Sequence, residues 1–148
     1  EHILPWVVEP SAGVDRGALA FLTEAYAEEE VESAKGKMET RTVLRLDPRL
    51  APTKVAFFPL IKKEPLQELA HRLQDEARFE WMTFYDETGA IGRRYRRQDE
   101  AGTPFCVTVD FDSLEDDAVT VRDRDTLKQD RIGVGELMTY LREKLAWR

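Results

Sequence analysis

The chain has 148 residues, 42% of them hydrophobic and 34% charged. That is the make-up of a globular protein able to bury a core, and a formal net charge of -7 argues against indiscriminate nucleic-acid binding. No apolar run approaches the ~20 residues that cross a bilayer and no leader peptide is visible, so a cytoplasmic location with no membrane partner is expected. The lone Cys106 excludes an internal disulfide, and His2 and His71 have no companion Cys or His at ligand spacing, so no metal site is expected.

In chain order, Ile3, Leu4, Trp6, Val7 and Val8 form an apolar run broken by Pro5. Such a run reads as a strand buried on both faces. A buried strand needs neighbours and none precedes this one, so the expectation is a chain that starts inside a larger domain and leaves the strand's edges exposed. EPSAGVDR (residues 9–16) follows, then a helix to about residue 29 with Asp15 near its start and Val14, Ala18, Phe21, Leu22 and Ala25 as its inward stripe. Taken alone, Glu-Pro-Ser-Ala-Gly reads as a structural turn. Residues 28–39, EEEVESAKGKME, have almost no apolar periodicity and read as a connector. Residues 40–46 alternate briefly, as a short strand or an extended docking segment. Pro48 and Pro52 bracket a linker, which sets a boundary near Asp47 and two units, 1–47 and 48–148.

The second unit reads strand, helix, strand, helix, strand, strand, helix. Residues 55–60 form a buried strand, Pro65 opens a helix lined by Leu66, Leu69, Ala70, Leu73 and Ala77, and residues 81–85 form the second strand. In residues 89–112, Ile91, Tyr95 and Gln98 fall at helical spacing, Gly102 stands where a left-handed cap belongs, and Pro104 stops the helix. Phe105, Val107, Val109 and Phe111 then alternate as a strand in which Cys106 is a small core residue. An acidic turn over residues 115–117 leads to a strand through Val119 and Val121, antiparallel to the one before it. A last helix covers residues 134–146 with Leu137, Met138, Leu141 and Leu145 inward. The pattern predicts an α/β fold with a mixed, mostly parallel sheet flanked by helices.

No general base, Ser/His/Asp arrangement or phosphate-cradling Gly-rich loop stands out in the second unit. What remains is a basic surface of Arg93, Arg94, Arg96, Arg97, Arg122, Arg124 and Arg131 with Tyr95, Phe84 and Tyr85 nearby in sequence. Unpaired RNA loops are read by base-edge hydrogen bonds and by stacking on aromatic or guanidinium planes, and this inventory fits that task. RRYRR also reads as a solvated helix face, and Arg122 and Arg124, between Asp123 and Asp125, also read as a charge-compensated strand edge. Tyr95 shares the stripe of Ile91 and is expected as a core anchor before a stacking platform.

Four stretches carry a resemblance: GAIGRRYRRQDEAGTPFCVTVDFD (89–112), LAPTKVAFFPL (50–60), VTVRDRDT (119–126) and EPSAGVDR (9–16). In order and spacing they resemble the carboxy-terminal part of the dimeric glycyl-tRNA synthetases, class II enzymes with an anticodon-binding domain. The resemblance implies the end of a class II catalytic domain in residues 1–47, with its motif 3 strand and helix, and an anticodon-binding domain in residues 48–148. It implies attachment of glycine to tRNA(Gly) through a glycyl-adenylate, with ATP as substrate, Mg2+ accompanying ATP, a homodimer, and no DNA partner. Arg16 matches the motif 3 arginine that meets ATP, a catalytic position, and Glu9 and Ser11 match the glycine pocket. Thr88, Arg93, Arg96, Ser113, Arg122 and Arg124 match the places that face the anticodon, Arg96 and Arg122 foremost. Class II motifs 1 and 2 have no counterpart here, so this chain alone is expected to be inactive. Two alternatives stand beside this reading: a non-catalytic module like the accessory subunits of a mitochondrial DNA polymerase, which EPSAGVDR disfavours, and a synthetase for proline, threonine or histidine, which GRRYRRQDEAGTPF disfavours.

Overall fold

The computed structural model describes residues 2–32, 36 and 38–146. Helix α1 (Val14–Ala25) leads directly into strand β1 (Tyr26–Glu32), which pairs with β2 (Met38–Leu44) as an antiparallel hairpin. Then follow β3 (Val55–Pro59), α2 (Glu64–Ala77), β4 (Thr83–Tyr85), α3 (Ile91–Ala101), β5 (Phe105–Val109), the short α4 (Ser113–Asp116), β6 (Ala118–Asp123) and β7 (Gln129–Gly133). A 3-10 turn (Val134–Glu136) opens α5 (Leu137–Leu145).

The five later strands form one sheet in the order β4-β3-β5-β6-β7. The pairings of β3 with β4 and with β5 are parallel; those of β5 with β6 and β6 with β7 are antiparallel. The sheet is mixed, as expected, with helices on both faces. On one face Val55, Phe57, Val107, Val119 and Val121 pack against Leu66 and Leu73 of α2 and Leu137 and Leu141 of α5. On the other, Ala56, Phe58 and Cys106 meet Ile91 and Tyr95 of α3. Full burial of one such large apolar side chain contributes about 1.5–3 kcal/mol, so these two layers hold the unit together. The predicted place of Cys106 is correct: it is a free, buried thiol that desolvation pushes up to about 12. Strand β7 was not foreseen. Its sequence QDRIG lacks apolar alternation because it is an edge strand with one neighbour, exposed over most of its length.

The first unit departs from expectation in three ways. Residues 3–8 are not a strand: they run without regular pairing, with Leu4 92% and Val8 91% exposed. An apolar run becomes strand only where another strand takes up its backbone groups, and none does so among the described residues. Helix α1 ends at Ala25 instead of near residue 29, and Ala25 is the one buried residue of its apolar stripe; Phe21 remains 58% exposed. The expected connector at 28–39 instead holds most of β1 and the start of β2, which continues into the alternating stretch at 40–46, though residues 33–35 and 37 lie outside the described residues. Its alternation is real but charged: Glu28, Glu30 and Glu32 face out while Ala27, Glu29 and Val31 turn inward. An apolar periodicity test misses a strand whose inward positions include ion-paired groups.

Candidate nucleic-acid interface

Helix α3 is fixed at both ends. Ile91 and Tyr95 anchor it on the sheet, where the Tyr95 hydroxyl hydrogen-bonds Thr108 Oγ1 at 2.6 Å and the ring meets Phe58 edge-on. Tyr95 is therefore a core anchor, as predicted. At the other end Gly102 adopts φ 79°, and the Thr103 N–H closes the last turn on the Gln98 carbonyl at 2.9 Å. A Cβ on Gly102 would also come within 3.1 Å of the Leu44 carbonyl oxygen, because the hairpin's exit crosses here. Glycine answers both demands.

The four arginines of α3 have four different fates. Arg94 is buried; its guanidinium donates to the carbonyls of Pro59 (2.6 Å), Leu60 (2.9 Å) and Asp86 (3.2 Å), and burial holds it below the ordinary guanidinium value. Arg97 pairs with Asp86 at 2.5 Å. Arg96 pairs with Glu39 of β2 at 3.0 Å and donates to the Thr40 carbonyl at 3.2 Å. Arg93 is exposed and has no ion-pair partner among the described residues. The basic helix is thus half structural: Arg94 and Arg97 tie it to the loops after β3 and β4, and Arg93 and Arg96 face outward.

Beneath α3 lies a charge network that the sequence did not disclose. Asp99, fully buried, accepts two hydrogen bonds from Arg122 of β6 (2.8 and 3.0 Å) and one from Arg41 Nε of β2 (2.8 Å). Arg41 also donates to the Arg124 carbonyl at 2.6 Å and pairs with Glu29. Desolvation pulls the Arg122 guanidinium down, but the Asp99 hydrogen bonds and charge outweigh it and the net shift is upward. Arg122 also lies over the Tyr95 ring, 4.8 Å from its centroid. Arg124 is spent inside the fold on the carbonyls of Gly102 (2.7 Å) and Leu46 (2.8 Å) and on Asp125. The expectation that it belongs to the exposed basic surface is corrected: orphan carbonyls at the end of α3 and of the hairpin need a buried donor, and Arg124 supplies it. Arg131, also read as surface, bridges Asp110 and Asp116 at 2.8 and 2.9 Å.

Arg93, Arg96 and Arg122 come together. With Arg41 they line a groove of about 800 Å³ between the hairpin, α3 and the end of the β6–β7 turn, to which Glu32, Glu39, Tyr95, Leu127 and Gln129 also contribute. Thr88 and Ser113 do not line it: they follow β4 and β5 at the carboxyl edge of the parallel strands, where Ser113 is buried against Asp110 at 2.9 Å. Arg124 follows β6 at the opposite edge of the sheet. Glu9, Ser11 and Arg16 are exposed, the first two in the irregular segment and the third in the first turn of α1. The residues missed from sequence are Asp99, Glu39 and Arg41. Asp99 follows RRYRRQ with no local mark of burial, and the other two lie in or beside the expected connector.

The similarities to known proteins agree with this geometry. Residues 54–144 match the anticodon binding domain model. The chain is 58% identical over 145 residues to the glycine–tRNA ligase of Thermobifida fusca, covering 98% of this chain and 31% of that protein. It is 54% identical over 145 residues to the enzyme of the same name from Rhodopirellula baltica, covering 98% and 27%. It therefore spans about a third of the length of these curated relatives or less. Two crystal structures of prolyl-tRNA synthetase from Cryptosporidium parvum superpose with TM-scores of 0.60 and 0.63 over 78% of this chain, at 19% identity, a likeness of fold alone. The matched residues take in the whole of the five-stranded sheet and helix α3 with its arginines, and by that match the chain belongs to the anticodon binding domain family.

Proposed function

We propose that this chain is the anticodon-reading part of a glycine–tRNA ligase and that tRNA(Gly) is its partner. The observation that carries the reading is the groove: Arg93 and Arg96 of α3 and Arg122 of β6 converge on one concave surface of a chain similar along 98% of its length to glycine–tRNA ligases. Arg93, with no ion-pair partner among the described residues, and Arg96, whose pair with Glu39 is exposed, are the groups that meet RNA, Arg96 toward a base edge and Arg93 toward a phosphate. Arg122 acts as a fixed guanidinium plane on Tyr95. In the complete ligase, which we place in the cytoplasm as a homodimer, Glu9 and Ser11 would meet glycine, and Arg16 would meet ATP. Glycine-dependent pyrophosphate exchange is the readout that Glu9→Gln and Arg16→Ala should both impair. Among the described residues no cluster of three His, Cys, Asp or Glu could hold a metal ion. Mg2+ enters this reading only as the ion that accompanies ATP, and no residue is assigned to it.

The test is RNA binding by the Arg96→Ala variant. A lost base contact costs roughly 1–3 kcal/mol and relaxes selectivity at one nucleotide. The variant should lose that much on tRNA(Gly) with its native anticodon and less on a tRNA altered there. Equal losses on both RNAs would reassign Arg96 to backbone positioning, and no loss on either would move the interface elsewhere.

A further inference from the structure

The groove carries three residue choices that the fold does not need. Gly92 lies in the first turn of α3, yet a Cβ there would meet nothing within 4 Å, so packing does not demand glycine and the helix would favour alanine. Leu127, at φ 61°, occupies the left-handed region where glycine or asparagine is at ease, its N–H closing the turn on the Asp123 carbonyl at 3.0 Å. Glu39 sets a carboxylate among the guanidinium groups of a surface proposed to meet RNA. Each is unfavourable or unnecessary for stability alone, and all three line the same cavity.

The charges narrow what that cavity can hold. Of its four guanidinium groups, Arg41 and Arg122 are tied to Asp99 and Arg96 to Glu39. With Glu32 also on the wall, the groove is close to neutral and presents fixed donors and acceptors. That suits a neutral polar ring and not a run of phosphates, which requires uncompensated cations. The Arg96–Glu39 pair is not required to hold the hairpin, because Arg41 does so from inside with buried hydrogen bonds to Asp99 and Arg124. An exposed pair adds little to docking, and the side chains of Arg96 and Glu39 remain 31% and 52% exposed, open to a ligand. Leu127 offers an apolar wall, and the missing side chain of Gly92 leaves the opening clear.

We propose that this groove seats one unstacked nucleobase of the RNA loop, and that Glu39 accepts a hydrogen bond from the base's amino group while Arg96 donates to a neighbouring acceptor. A carboxylate accepting from an exocyclic amine is an established form of base readout. The hairpin then belongs to the RNA site although it lies outside the matched residues 54–144. The inference rests on the anticodon reading proposed above and adds to it a specificity-determining residue.

The sign of one substitution tests it. If Glu39 only tethers Arg96, Glu39→Ala removes a negative charge from an anion-binding surface and tightens binding to every RNA. If Glu39 reads a base, the variant binds tRNA(Gly) about tenfold more weakly. That loss disappears on the one transcript whose anticodon base at the contacted position lacks the amino group. Binding of wild type and Glu39→Ala to the native transcript and to a set with each anticodon base replaced in turn gives both results. Equal or tighter binding of the variant throughout, with wild type still selecting the native anticodon, overturns the role of Glu39 and leaves the anticodon reading intact. Failure of the wild type to distinguish the transcripts overturns both. Gly92→Leu supplies a second measurement: filling the opening should weaken binding of the native transcript without lowering the melting temperature, and unchanged binding would place the base elsewhere.

Discussion

At the scale of single residues, Asp99 bears the heaviest demand. Two guanidinium groups from different strands converge on its carboxylate, and all three side chains are almost wholly removed from water. Such a group holds only as a complete set, since removing one member leaves the others buried and unpaired at about 3–5 kcal/mol. Asp99→Ala should therefore lower stability by about that amount in denaturant unfolding, more than an apolar truncation at the partly buried Ile91. It should also free Arg122 from its place over Tyr95, so RNA selectivity falls in whatever fraction remains folded. A loss below about 1 kcal/mol would show that water replaces the carboxylate without penalty. The neighbouring arginines show why residue type alone is a poor guide: Arg94 and Arg124 satisfy backbone carbonyls inside the protein, and Arg93, identical in chemistry, is exposed with no ion-pair partner among the described residues.

At the scale of elements, the β1–β2 hairpin is held to α3 chiefly by polar bonds. Val43 and Arg41 are its most buried side chains, and Arg41 reaches Asp99, Glu29 and the Arg124 carbonyl together. A hairpin docked this way opens as a unit when its central donor is lost. In Arg41→Ala, amide hydrogen exchange should speed up across β1 and β2 while β3, β5 and β6 keep their protection. Uniform protection loss over both regions would mean that hairpin and sheet unfold together. The arrangement also bears on the expected boundary at Asp47: the hairpin lies before it in sequence yet packs on the unit after it.

At the scale of the whole molecule, the net charge of -7 and the paired groove point the same way. If RNA is held through base contacts with Arg93 as the main phosphate partner, the logarithm of affinity should fall with the logarithm of salt at a slope of about -0.7. Four unpaired arginines on phosphates would give about -2.8. A titration of this chain with tRNA(Gly) from low to moderate salt separates the two, and a slope near the steeper value would mean that the ion pairs open and the groove tracks the backbone.

The sequence by itself determined the second unit apart from the edge strand β7 and the short α4. Alternating Phe105, Val107 and Val109, the stripe of Leu66, Leu69 and Leu73, and the Gly102-Thr-Pro stop are local signals, and each element they specify is present. The family followed from motifs of the same local kind. Only the tertiary structure decided which charges are inside. A buried ion pair leaves no periodic mark, because Arg41 and Asp99 lie 58 residues apart and each reads locally as surface. For the same reason residues 28–39 read as a connector, the inward face of β1 carrying Glu29 beside Ala27 and Val31. In the other direction, residues 3–8 and the stripe of α1, Ala25 excepted, carry a strong apolar signal that finds no cover among the described residues. Apolar pattern states a demand for burial, and only the packing of the chain decides where that demand is met.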